Sequence, residues 1–228
     1  MGLLAGLPDH NSISESDQPE LDPQLLLLRA WQTERLQRTH ADLLASKRYG
    51  PACRFFISDV YGSKDFHQRN QDIEYMYVIM RRFIPDILLS LVRNAINLHH
   101  MTEELDRKLL KVLEQDLGLT DPITEEVYAE GYRLCDNYEN RRRQIDTLIE
   151  IGHQVEFSTR FPPIGIALRL AGGPAKKAGW HDLHDFLDRG YKSFKKMGKA
   201  KKFLNTVQRR EMQILDRIYD GLPDPFSI

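Results

Sequence analysis

Apolar residues recur at intervals of three and four along most of this chain, the spacing that gathers them on one face of an α-helix. Asp22 is placed to cap a helix that has Pro23 in its first turn. This helix, about 23–46, carries Leu25 to Leu28, Trp31, Leu36, Leu43 and Leu44, and is expected to end near Tyr49-Gly50-Pro51. Phe55, Phe56, Val60 and Tyr61 then give a short helix with one apolar flank. Gly62 suits a left-handed stop, and Asp65, with Gln68 three residues on, suits a capping box. The stretch from Phe55 to Phe66 is therefore expected to be a corner between helices, packed by Phe56, Tyr61 and Phe66.

The pattern continues with a helix over 66–83, whose inner positions are Ile73, Met76, Tyr77, Met80 and Phe83. Pro85 opens the next, with Leu88, Leu91, Val92, Ala95 and Leu98 on one stripe. Thr102 is placed to cap a further helix carrying Leu105, Leu109, Val112 and Leu113, which Gly118 stops. The chain restarts at Asp121-Pro122, followed by Val127, Tyr128, Tyr132 and Cys135. A long helix over 138–160 turns Ile145, Leu148, Ile149, Gly152 and Val155 inward, and a glycine on that face implies close approach of another helix. Pro162-Pro163 ends it, and a short helix over 164–171 is expected to stop at Gly172-Gly173-Pro174. Two more helices follow, 180–197 with Leu183, Phe186, Leu187, Gly190, Tyr191 and Phe194 inward, and 199–220 with Phe203, Val207, Ile214 and Ile218 inward. No period-two strand pattern and no repeat stands out. The expected fold is all-α, a single irregular bundle of about nine or ten helices. Residues 1–21 read as a flexible lead-in, 22–222 as one helical domain and 223–228 as a frayed tail.

The run Phe55-Phe56-x-x-Asp59-x-Tyr61-Gly62-x-x-Asp65-Phe66 resembles the signature of an uncharacterised bacterial family marked by an FFLEELYG-type motif. Gly173-Pro174-Ala175, Phe186-Leu187-x-Arg189-Gly190 and Arg210-Glu211 resemble the same family, so the likeness spans roughly residues 50–220. Here Ile57-Ser58-Asp59 stands where that motif has Leu-Glu-Glu. The resemblance implies kinship and brings no activity with it.

Composition narrows the classes. The net charge of −1 implies no global polyelectrolyte. Two cysteines, Cys53 and Cys135, are too few for a disulfide framework and read as buried free thiols in a reducing compartment. No apolar run approaches the roughly 20 residues of a membrane span, and Met1 to Pro8 lack a basic signal-peptide start, so a cytoplasmic protein is expected.

Metal-like spacings are present but badly placed. Glu150-Ile151-Gly152-His153 has the E-x-x-H spacing of di-iron bundles, yet Glu150 lies about 140° and His153 about 80° from the Ile145 direction. His181 and His184 lie about 160° and about 100° from Leu183, which reads as a solvated helix start. His99-His100 reads as a helix-end pair. Gly172-Gly173-Pro174 with Lys176-Lys177 lacks the Walker A pattern. No metal or cofactor is assigned on these grounds.

Charge is divided unevenly. From Arg169 to Arg210 there are twelve Lys or Arg and three acids, a balance of +9 that leaves −10 for the rest. Lys192, Lys195 and Lys196 lie opposite the inward stripe, and Lys199, Lys201 and Lys202 extend them into an outward basic surface. Two acids stand out otherwise. Asp59 falls among aromatics, and Glu211 lies only about 40° from Val207 inside an apolar stripe, where a carboxylate needs a positive partner or a raised pKa. Asp59, Tyr61, Arg69 and Glu211 are thus a candidate pocket, with arginine pairing the plainer reading of each acid. The leading expectation is a non-enzymatic protein-interaction or regulatory module that meets an acidic protein partner through the basic surface, with nucleic acid or anionic lipid as weaker matches. The alternative is a bundle that binds a small molecule, haem or metal, with or without catalysis.

Overall fold

The computed structural model describes residues 22–60, 86–119, 122–177 and 181–228. Within them lie nine α-helices and one π-helical turn, and no strand. They are α1 (Pro23–Thr39), α2 (Ala41–Ala45), α3 (Gly50–Arg54), the π-helical turn (Phe55–Val60), α4 (Asp86–Gln115), α5 (Glu125–Cys135), α6 (Tyr138–Ser158), α7 (Pro162–Lys177), α8 (His181–Met197) and α9 (Lys201–Tyr219). The all-α multi-helix fold is the one expected. The expected lead-in over 1–21, Tyr61, Gly62, the Asp65 cap, Phe66, Arg69 and the helix over 66–83 lie outside the described residues.

Several boundaries differ from the sequence pattern, each for a local reason. The first helix breaks at His40, and Gly50-Pro51 begins a helix instead of ending one, because a proline in the first turn gives up only an N–H that has no partner there. Asp86–Gln115 is one continuous helix. Thr102 does not cap it midway; its hydroxyl accepts from Gln144 Nε2 at 2.8 Å on α6. α5 starts three residues past Pro122, capped by Thr124, whose Oγ1 accepts from Val127 N–H at 3.3 Å. α7 begins at Pro162 and runs through Gly172-Gly173-Pro174 to Lys177, so those three residues do not form the expected turn. Gly118 and Gly198, at φ +64° and +72°, do sit just past helix ends, in the left-handed region that favours glycine.

α6 is the central strut, packed against α4, α9 and α8. Gly152 lets α9 approach: a Cβ there would lie 2.5 Å from Leu204 Cδ2. Two apolar clusters flank it. One joins Leu36, Leu43, Cys53, Ile57, Ile149, Phe194, Phe203 and Leu204. The other joins Leu25, Leu28, Leu109, Leu113, Tyr128 and Cys135. Phe56 packs beside the first cluster with its ring 5.7 Å from Phe194 and 6.3 Å from Phe203, while Phe55 meets Phe186 at 5.1 Å. The aromatic corner thus belongs to the packed interior at its described end. Both cysteines are buried free thiols.

Candidate functional site

Between the two apolar clusters the helices bury a polar layer, and Glu211 is its most constrained member. On α1 the inward face reads Leu25, Leu28, Gln32, Arg35 and Leu36, so the polar pair continues the apolar spacing. On α6 it reads Arg141, Gln144, Leu148, Ile149 and Gly152. Arg35 Nη1 donates to both Glu211 oxygens, at 2.8 and 2.6 Å, and His40 Nε2 lies 2.9 Å from Oε1. A carboxylate only accepts, so His40 Nε2 carries the hydrogen. Burial by itself would raise the Glu211 pKa; the charge of Arg35 and the bonds from His40 and Arg35 outweigh it and bring it down to about 2. Burial likewise works against the Arg35 cation, and Glu211 reverses the balance, holding it above its usual range.

The second half of the layer centres on Asp106. Gln32 Nε2 donates to Asp106 Oδ1 at 3.1 Å, and the guanidiniums of Arg141 and Arg29 stand 3.7 and 3.8 Å away. At those distances burial wins, and the Asp106 carboxyl is pushed up despite its two cations. Burial works against the Arg141 cation, and the charge interactions with Tyr132 and Asp106 reverse the balance and hold it above its usual range; its guanidinium also lies 4.5 Å from the centre of the Tyr132 ring. Arg141 Nη2 also donates to Leu105 O at 3.1 Å. Tyr128, stacked on Trp31 at 3.9 Å, donates to Tyr132 at 3.1 Å. A cavity of about 50 Å³ lies among these groups. That is room for a few water molecules, far below the roughly 300 Å³ at which small-molecule pockets begin.

Arg210, next to Glu211, takes the other side of the same junction. It donates to both Asp42 oxygens, at 2.6 and 3.0 Å, and to Thr39 O at 3.1 Å. The Arg210-Glu211 pair therefore clasps the break between α1 and α2 from one turn of α9. The bonds from Arg35 and His40 supply the positive partner that a carboxylate within an apolar stripe requires. Of the other pocket residues expected from sequence, Tyr61 and Arg69 lie outside the described residues, as does the Asp59 side chain. Sequence reading missed Gln32, Arg35, His40, Asp106, Arg141 and Gln144. The signal was present for some: Gln32, Arg35, Arg141 and Gln144 all sit where the three-four spacing calls for an apolar residue.

Of the histidines in metal-like spacings, His153 is half-exposed, whereas His184 is mostly covered and not solvated as expected, because its ring turns onto α7. Glu150 is exposed and accepts from Asn94 and Gln154 at 3.1 Å each. His184 Nε2 lies 2.8 Å from Leu168 O. Among the described residues no group of three or more His, Cys, Asp or Glu side chains is placed to hold a metal ion.

The basic residues gather at the corner between α8 and α9. Arg48 builds that corner: its Nε donates to Met197 O at 2.9 Å and Nη2 to Lys199 O at 3.0 Å. Lys192 is drawn into Asp188 at 2.5 Å, and Lys195 lies 5.5 Å from the Tyr191 ring centre. Lys196, Lys199, Lys201 and Lys202 are exposed, as is Lys47 beside Arg48. The first turn of α9 holds Lys201 and Lys202, no acid and no side-chain cap, so two cations stand at the positive end of the helix dipole.

A family model described as "Domain of unknown function (DUF8198)" matches residues 12–225. No curated protein and no solved structure matches the chain.

Proposed function

The chain belongs to the DUF8198 family, and from that premise we propose that it is a bacterial, cytoplasmic, non-catalytic binding module that holds an acidic protein surface at its α8–α9 corner. The observation that carries this reading is the concentration of Lys196, Lys199, Lys201 and Lys202, all exposed, around a turn that Arg48 rigidifies. Two lysines in the first turn of α9 cost roughly 0.3–1 kcal/mol each against the dipole, a cost that a bound carboxylate would offset. The polar interior supports the same reading from the other direction. Its charges are paired with one another and its cavity admits only a few waters. The buried free thiols fit a reducing compartment.

The test uses fluorescein-labelled polyglutamate as a probe, followed by anisotropy at low and high salt. The wild-type chain should bind at low salt and lose the probe as salt rises. The variant K196E/K199E/K201E/K202E should bind at least about tenfold more weakly. Equal binding by the two proteins would refute the assignment of this surface.

A further inference from the structure

The corner where α6 passes into α7 presents large apolar side chains to water. Phe157 is 40 % exposed, Phe161 45 %, Ile166 55 % and Leu170 71 %. The two phenyl rings lie 4.9 Å apart, and Ile166 and Leu170 are one helical turn apart. Single exposed apolar residues are ordinary; two such pairs within fourteen residues of chain are not.

The helix geometry explains the arrangement. α7 packs on α8 through Gly165, where a Cβ would lie 2.7 Å from Tyr191 Oη, and Gly172, where it would lie 3.1 Å from His184 Cε1. At 100° per residue, Pro163, Ile166, Ala167 and Leu170 fall within about 100° of one another, on a side turned away from those glycines. All four are exposed. Arg169 and Lys176, also exposed, fall about 60° and about 80° from Ile166 along one edge of the stripe.

The charge of the segment is one-sided. Residues 157–177 contain Arg160, Arg169, Lys176 and Lys177 and no Asp or Glu. Arg160 donates to Glu156 at 2.7 Å, so the outward charge of the described side chains rests on Arg169 and Lys176. An apolar helical stripe with cations along its edge, preceded in the chain by two exposed phenyl rings, is the chemistry of a helix lying in the headgroup region of a bilayer. A second copy of the chain is a poor occupant, since a two-fold contact would set these cations against themselves.

We infer that the α6–α7 corner docks on an anionic lipid surface. Phe157, Phe161, Ile166 and Leu170 enter the boundary between headgroups and acyl chains, and Arg169 and Lys176 meet the phosphates. This surface is separate from the lysine corner between α8 and α9, and it stands or falls independently.

The experiment is co-sedimentation of the full chain with vesicles of phosphatidylcholine alone and of phosphatidylcholine mixed with phosphatidylglycerol. Binding to the mixed vesicles and not to phosphatidylcholine alone is expected. I166S/L170S should weaken it at least about tenfold, and R169Q/K176Q roughly fivefold per cation removed. Circular dichroism should show both variants as helical as the wild type, since the changed side chains are exposed. No binding to mixed vesicles would overturn the inference. So would binding that I166S/L170S leaves intact while K196E/K199E/K201E/K202E abolishes it, because the lysine corner would then be the lipid contact. Failure to bind vesicles, with a dimer in sedimentation equilibrium that I166S/L170S converts to monomer, would overturn it in favour of self-association.

Discussion

Replacing Glu211 with glutamine removes one negative charge and almost no volume, and it leaves Arg35 and His40 in place. Glu211 and Arg35 have side chains only 11 % exposed, so solvent screens the pair weakly. The carboxyl falls from its ordinary 4.5 to about 2 on folding. At about 1.4 kcal/mol for each tenfold change in proton affinity, that fall corresponds to roughly 3 kcal/mol of stability. The sign follows from the direction. A depressed carboxyl contributes fully above its unfolded value of 4.5, and the contribution drains away as pH drops toward 2. E211Q also strands a buried guanidinium, so its cost at neutral pH should be about 3–5 kcal/mol. R35M/E211M, which removes both charges, should recover most of that loss. The assay is urea unfolding followed by circular dichroism for the three proteins from pH 7 down to pH 2.5. The gap between wild type and E211Q should be widest at pH 7 and close progressively below pH 4.5. Asp106, pushed in the opposite direction by burial, is common to both proteins and cancels in the difference. A gap under about 1 kcal/mol at pH 7, or one that does not change with pH, would refute the reasoning.

Two further outcomes follow from the packing. Gly152→Val should destabilise the fold by about 1–3 kcal/mol in urea titrations, since its Cβ would meet Leu204 Cδ2 at 2.5 Å, and Leu204→Ala in the same chain should recover part of the loss. Burial pushes the Cys53 thiol up to about 11 and the Cys135 thiol up as well, so neither should react with a thiol reagent at pH 7.5 in the native protein, whereas both should react in denaturant; fast native labelling would contradict the burial of that residue.

The sequence by itself determined the fold class, most helix positions and several local devices. The three-four spacing of apolar residues is a property of each helix alone, so α6, α8 and α9 could be placed to within about two residues. Gly152 announced a close helix contact because a glycine on an inward face has few other uses, and Leu204 proved to be the contact. The length of α4 was misread because Thr102 resembles a cap in isolation, and only Gln144, 42 positions later, shows where its hydroxyl is used. The same holds for the polar layer. Glu211 in an apolar stripe signalled a buried charge, but its partners Arg35 and His40 lie 176 and 171 residues away. Periodicity reports which face of a helix turns inward; it carries no information about which other helix arrives there. Tertiary structure therefore decided that Arg210-Glu211 clasps the α1–α2 junction, that Glu211 and Asp106 meet cations from other helices, and that Phe157, Phe161, Ile166 and Leu170 stay exposed at the α6–α7 corner.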